Sequence, residues 1–130
     1  MRVVWTNGCF DILHRGHIEL FKYARSLGDR LVVGIDTDER VKASKGESRP
    51  FNNVEDRVAM LQAIKHIDEV VVFGSDNELD TKVLLSNAEI MVVGSDYRNK
   101  NVIGSRHVKD VLFFDKVGGH STTKILAGLQ

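Results

Sequence analysis

Short continuous apolar runs alternate along this chain with segments whose apolar residues recur every three or four positions. The first kind reads as a strand covered on both faces and the second as an amphipathic helix. Val3-Val4-Trp5 opens a strand over 3–6, and Ile18, Leu20, Phe21, Ala24 and Leu27 mark a helix over about 16–28, with Gly28 at its C-terminal end. Leu31-Val32-Val33-Gly34-Ile35 is the second strand, and Asp36-Thr37-Asp38-Glu39 offers caps for a short helix reaching about Ala43. A polar loop over 44–53 holds the only proline. Val54 to His66 then predicts an amphipathic helix with Asn53 as its N-cap. Further on come a strand over 70–73, a helix over 79–85, a strand over 90–93, a partly helical stretch over 102–108 and a strand over 111–114. A last helix is expected to open at Ser121-Thr122-Thr123.

Strands alternating with helices imply an α/β fold: a doubly wound, five-stranded parallel sheet with right-handed crossovers and helices on both faces. Such sheets bind ligands beyond the carboxyl ends of their strands, where the strand order reverses. The loops over 6–17, 36–50, 94–104 and 116–123 each follow a strand, so they should gather on one edge of the sheet around a single site. There is no internal repeat, low-complexity tract or linker, and 130 residues fit one domain over 1–130.

Composition narrows the function. Hydrophobic residues make up 42% of the chain, enough for a real core. Lys plus Arg equals Asp plus Glu at 18 each, which argues against a dedicated nucleic-acid or membrane-surface binder. One cysteine rules out an intramolecular disulfide and fits a reducing compartment. With no bilayer-length apolar run and no signal-peptide pattern at Met1, the expected location is cytoplasmic. Neither GxGxxG nor GxxxxGK[ST] occurs, so hydride-transfer cofactors and the P-loop have no local support.

The candidate chemistry centres on residues 6–17, Thr-Asn-Gly-Cys-Phe-Asp-Ile-Leu-His-Arg-Gly-His. A strand, a glycine-containing turn and a helix start make an anion site, because free N–H groups and the helix dipole favour negative charge there. His14 and His17 fall on one side of a helical turn. Each imidazole can donate a hydrogen bond to a phosphate oxygen, and a cationic ring would add charge. Gly16 removes a side chain where a ligand must pass close to the backbone. A cap or surface histidine is the bland alternative. A zinc site from Cys9, His14 and His17 lacks the second cysteine of a common structural site.

His14-Arg15-Gly16-His17 fits the HxGH motif of the nucleotidyltransferase superfamily. The longer string most resembles the heptose 1-phosphate adenylyltransferases, with glycerol-3-phosphate cytidylyltransferases as close relatives. Lys45-Gly46-Glu47-Ser48-Arg49-Pro50 is similar to the KGxxRP segment of the heptose enzymes, Gly94-Ser95-Asp96-Tyr97 to their Gly-Gly-Asp-Tyr, and Ser121-Thr122-Thr123 to the closing Ser-Thr-Thr. The resemblance covers essentially the whole chain and implies a Rossmann-like fold. It also implies transfer of AMP from ATP to a sugar 1-phosphate, with release of pyrophosphate and Mg²⁺ entering with ATP.

Under that resemblance His14, His17 and Lys45 are the catalytic candidates, with Lys42 as a helper to Lys45. Asn7, Gly8, Cys9, Phe10, Asp11, Gly16, Ser121, Thr122 and Thr123 would meet the nucleotide, and Arg49, Arg57, Asp96 and Tyr97 the acceptor. No protein side chain is assigned as a direct metal ligand. Scattered lysines also describe a solvated face, Arg57 an exposed helix residue, and Gly-Ser-Asp a simple turn. Asp11 could orient a loop amide or a histidine, or act on Mg²⁺. Lys116 stands where the cytidylyltransferases have arginine, and His120 where a small residue is expected; the roles of both stay open. The heptose enzymes often carry a kinase on the same chain; none is read in this sequence, so a separate kinase is expected to supply the acceptor phosphate. The alternatives are a cytidylyltransferase using CTP and an alcohol phosphate, and a non-catalytic nucleotide-binding regulator. A homodimer is expected, with Phe51 and Val54 near the contact.

Overall fold

The computed structural model describes residues 1–115. The Ser-Thr-Thr segment and its expected helix, together with Lys116 and His120, lie outside the described residues. Within them the chain runs β1 (Val3–Gly8), α1 (Arg15–Ser26), β2 (Arg30–Asp36), α2 (Asp38–Lys45), α3 (Val54–Gln62), β3 (Glu69–Phe73), α4 (Asp76–Ser86), β4 (Ile90–Gly94) and β5 (Asp110–Phe114). Two 3₁₀ turns, Ser95–Tyr97 and Ser105–His107, separate β4 from β5. All five strands are parallel, in the order β3-β2-β1-β4-β5. This is the doubly wound, Rossmann-like arrangement that the alternation of apolar patterns predicts.

The strand residues divide between two cores with period two. Val4, Leu31, Val33, Ile35, Ile90 and Val92 pack with Phe21 and Ala24 of α1 and Leu61 of α3 on one face. Val3, Trp5, Val32, Phe73 and Met91 pack with Leu79 and Val83 of α4 on the other. Gly34 makes room for the indole, since a Cβ there would come within 2.6 Å of the Trp5 ring.

Two helix boundaries depart furthest from the sequence reading. The apolar stripe of α3 suggested a helix reaching His66, but the helix stops at Gln62, and Ile64 and Ile67 turn back onto the first core. α4 starts at Asp76 rather than near Leu79, because the Ser75 hydroxyl accepts from the Glu78 N–H at 3.1 Å while the Glu78 carboxylate accepts from the Gly74 N–H at 2.8 Å. Asn53 caps α3 as expected, its side chain accepting from the Asp56 N–H.

The order reverses between β1 and β4, and the sheet splits there. β1 pairs with β2 along its length, from Val3 with Arg30 to Gly8 with Ile35, but with β4 only at Val4–Ile90 and Trp5–Met91. Beyond that point the Thr6 hydroxyl, buried, donates to the Val92 carbonyl at 2.8 Å and pins the diverging strands. The split creates the crevice that this topology uses for ligands.

Candidate active site

The chain leaves the split through a strained turn. Phe10 has φ of 45°, a left-handed conformation that bulky residues avoid. Its ring lies edge-on to His17, with centroids 5.3 Å apart, and to Phe21, at 5.1 Å. It also covers Gly8, where a Cβ would meet the ring at 3.1 Å. The turn thus trades backbone strain for an aromatic floor beneath the second histidine.

His14 is the N-cap of α1, and its Nδ1 accepts from the Gly16 N–H at 3.0 Å. His17 reaches back, its Nδ1 accepting from the His14 N–H at 3.2 Å. The rings stack, with centroids 3.8 Å apart and planes 26° apart. With both Nδ1 atoms accepting backbone N–H groups, each neutral ring carries its proton on Nε2. Burial, and secondly the neighbouring His14, push the His17 pKa down to about 4. At neutral pH His17 is therefore an uncharged, fixed hydrogen-bond donor rather than the cation that the sequence left open.

Two buried nodes hold this turn in place. Asp11 is fully buried, and its carboxylate accepts from Arg49 Nε at 2.9 Å, the Phe51 N–H at 2.7 Å and the Asn52 N–H at 2.8 Å. The Asn52 side-chain amide returns a bond to the Asp11 carbonyl at 2.8 Å. Arg57 is also fully buried and donates to the Cys9 carbonyl at 2.9 Å, the Asn52 carbonyl at 3.1 Å and Asp38 at 2.8 Å. Asp11 and Arg49 thus join the histidine turn to the polar loop, and Arg57 joins both to the first turn of α2. The structure places Asp11, Arg49 and Arg57 in this framework.

On the α4 side of β1 a cleft of about 670 Å³ opens, a usual size for a small-molecule site. Asn7, Gly8 and Cys9 form its boundary at the end of β1, Lys45 closes the α2 side, and Tyr97 comes from the turn after β4. Lys42 is exposed on α2 and Asp96 is exposed beside Tyr97, and neither lines this cleft. His14, Gly16 and His17 do not line it either; they sit beyond the end of β1 at the start of α1. The structure also brings in two residues the sequence did not single out for the site, Arg40 and Asp36, the latter read only as a possible helix cap. Arg40 Nε donates to Asp36 Oδ2 at 3.2 Å and its terminal nitrogen to Asp76 at 2.7 Å, while the guanidinium lies 5.4 Å from the Phe73 ring centroid. Their i,i+4 spacing across the start of α2 was the available signal. Among the described residues, no group of three or more His, Cys, Asp or Glu side chains is placed to hold a metal ion.

Comparison with known proteins agrees with this architecture. The chain is 47% identical over 99% of its length to the bifunctional protein HldE of Campylobacter concisus, and 41% identical, again over 99%, to that of Helicobacter hepaticus. It spans only 27% of the length of each. A lipopolysaccharide core biosynthesis protein from Thermoplasma volcanium superposes with a TM-score of 0.72 at 27% identity, covering 88% of this chain and 97% of that one. The pantothenate synthetase of Thermus thermophilus shares the fold at 16% identity, with a TM-score of 0.62 over 90% of this chain and 56% of that one. The cytidylyltransferase-like family profile matches residues 5–126, nearly the whole chain, and so the chain belongs to the cytidylyltransferase-like family of nucleotidyltransferase enzymes.

Proposed function

We propose that this domain transfers AMP from ATP to a sugar 1-phosphate, heptose 1-phosphate foremost, and releases pyrophosphate. The observation that carries the proposal is the stacked His14–His17 pair at the start of α1, with both Nδ1 atoms fixed by backbone N–H groups. Transfer of a nucleotidyl group needs little covalent help from the protein. It needs the attacking oxygen, the α-phosphorus and the leaving oxygen in line, and donors where charge accumulates. The start of α1 supplies N–H groups and a dipole for the triphosphate. His17 Nε2–H, held by the Phe10 floor and the His14 N–H, would donate to the phosphate oxygens as charge moves onto the leaving pyrophosphate. Its neutral state fits that task, since a donor that is already fixed needs no reorganisation.

Positive charge then has to come from elsewhere. Lys45, exposed at the end of α2 and lining the cleft, would supply it. Mg²⁺ would enter with ATP as part of the substrate. Asn7, Gly8 and Cys9 would lie along the α-phosphate, while Asp11, Arg49 and Arg57 act on the ligands only through the loops they hold.

The choice of ATP and of heptose 1-phosphate rests on the resemblance of the motif segments and on the identity to the HldE proteins. A pyrophosphate-release screen crossing ATP and CTP with sugar 1-phosphates and glycerol 3-phosphate tests it. ATP with heptose 1-phosphate should turn over best. CTP with glycerol 3-phosphate as the best pair would replace this reading by the cytidylyl one, and nucleotide binding without pyrophosphate release would indicate a regulator.

Two copies would pair through the polar loop. Phe51 is 65% exposed there, whereas Val54 packs against the first core, so Phe51 is the side chain that offers the contact. Sedimentation at micromolar concentration should show a dimer, and a 14.6 kDa species would reject the pairing. No helix among the described residues is long and apolar enough to cross a membrane.

A further inference from the structure

We propose that Trp5 is a positioning residue of the active site: its indole N–H holds the Asn7 amide by the oxygen, so that the cleft meets that amide as an NH₂ donor for a phosphate oxygen of the nucleotide. The identity of the ligand rests on the nucleotidyl-transfer reading. Trp5 and Asn7 stand two apart on β1, so their side chains leave the same face of the sheet. Trp5 is fully buried in the second core, and Asn7, the next side chain along that face, lines the cleft. The Trp5 Nε1–H donates to Asn7 Oδ1 at 2.8 Å. An indole nitrogen only donates, so the amide atom facing it is the oxygen, and the amide has one orientation rather than two.

The bond is held from both ends. Gly34 pairs with Asn7 across β1 and β2, and a Cβ at Gly34 would stand 2.6 Å from the Trp5 ring. The indole therefore lies against the backbone directly beside Asn7. A buried indole N–H without an acceptor is costly, and the Asn7 oxygen is the acceptor it has. The amide NH₂ group is then left over. Among the described residues it takes no partner, and no buried side-chain nitrogen or oxygen lacks one, so the NH₂ group is open to solvent. At this end of β1 the open space is the cleft that Asn7 lines. An untethered asparagine turns over and offers donor or acceptor alike. A phosphate oxygen only accepts, and a donor fixed in advance needs no reorganisation to meet it.

Trp5 is the chain's only tryptophan, so biosynthetic replacement of tryptophan by benzothienylalanine, which carries sulfur in place of the indole N–H, changes that group alone. The full chain is compared with and without the isostere, in the wild-type sequence and in Asn7→Ala, with ATP and Mg²⁺ varied. In the wild-type sequence the isostere should raise the KM for ATP about fivefold, the scale of one net hydrogen bond. It should weaken calorimetric binding of ATP with Mg²⁺ by the same factor and leave the acceptor KM unchanged. Asn7→Ala should lose more, about tenfold or more, as expected for a donor to a charged group, and the isostere should add nothing to that loss. Trp5→Phe, which also lacks the N–H, should show the same dependence on Asn7. Equal losses from the isostere in both backgrounds would mark a merely structural tryptophan and overturn the proposal. An unchanged ATP affinity in the wild-type sequence, or a rise confined to the acceptor KM, would overturn it as well. ATP binding without pyrophosphate release from any acceptor would reject the nucleotidyl-transfer reading, and the calorimetric comparison would still decide the role of Trp5.

Discussion

The two sides of β1's carboxyl end are built differently. On the α1 side the turn over Cys9–His17 is over-determined: a capping exchange between two histidines, an aromatic floor, and two buried charged nodes whose partners lie about forty residues away in sequence. On the α2 and α4 side, Lys45 stands exposed at the end of a helix and the cleft is open. The contrast separates two requirements of phosphoryl chemistry. Donors that act on the transition state must be in place beforehand, because reorganisation during reaction costs rate. A cation that meets a charged ligand on arrival needs only reach and charge. Changes on the first side should therefore disturb folding together with activity, and changes on the second side activity alone.

The largest effect should follow from breaking the Asp11 node. Asp11→Ala leaves Arg49 and two backbone N–H groups without their buried acceptor, and chemical denaturation should show a loss of about 3–5 kcal/mol. A loss under about 1 kcal/mol would mean that the turn is held by other means. Next comes acid sensitivity. The folded His17 pKa, about 4, lies below its unfolded value of 6.5, so the unfolded state takes up the proton first. The His17 contribution is intact above pH 6.5, is lost as pH falls from there towards 4, and changes little below. Melting temperatures of wild type and His17→Gln across that range should converge on acidification, and parallel curves would show that His17 titrates normally. On the open side, Lys45→Met should cut kcat/KM by about a hundredfold while the melting temperature stays nearly constant, as expected for an exposed position. Retained activity would reduce the loop to a connector. The smallest effect concerns the base: ATP should exceed CTP in kcat/KM by about tenfold, or about 1.4 kcal/mol of differential transition-state binding.

Much of this molecule was legible in its apolar pattern. The five strands, their parallel pairing and the gathering of the loops on one edge all follow from periodicity and the handedness of crossovers. The histidine turn was visible as a strand–glycine–helix sequence. Partners far apart in the chain were not visible. Nothing local in Phe-Asp-Ile says that Asp11 accepts from Phe51 and Asn52, and Arg40 reads as an ordinary helix residue until α4 brings Asp76 against it. Some signals were present but unread. Arg57 falls on the stripe of Val54, Val58 and Leu61, and a charged residue on the buried side of a helix must find partners there. Ser75-x-x-Glu78 is a capping pattern that places the start of α4. Phe51 is exposed because its backbone N–H, not its ring, is what Asp11 holds.

The central claim is that His17 acts in the transition state as a preset neutral donor. The measurement that meets it most directly is kcat/KM for pyrophosphate release from pH 6 to 8, in the wild type and in His17→Ala, with ATP varied and heptose 1-phosphate saturating. This profile reports the free enzyme's ionisations. The account predicts that the variant is slower by about a hundredfold or more at every pH. It also predicts that wild-type activity does not decline through a pKa near 6.5 as pH rises. Near-normal activity in a folded variant would contradict the claim, as would a wild-type decline through that pKa that disappears with His17.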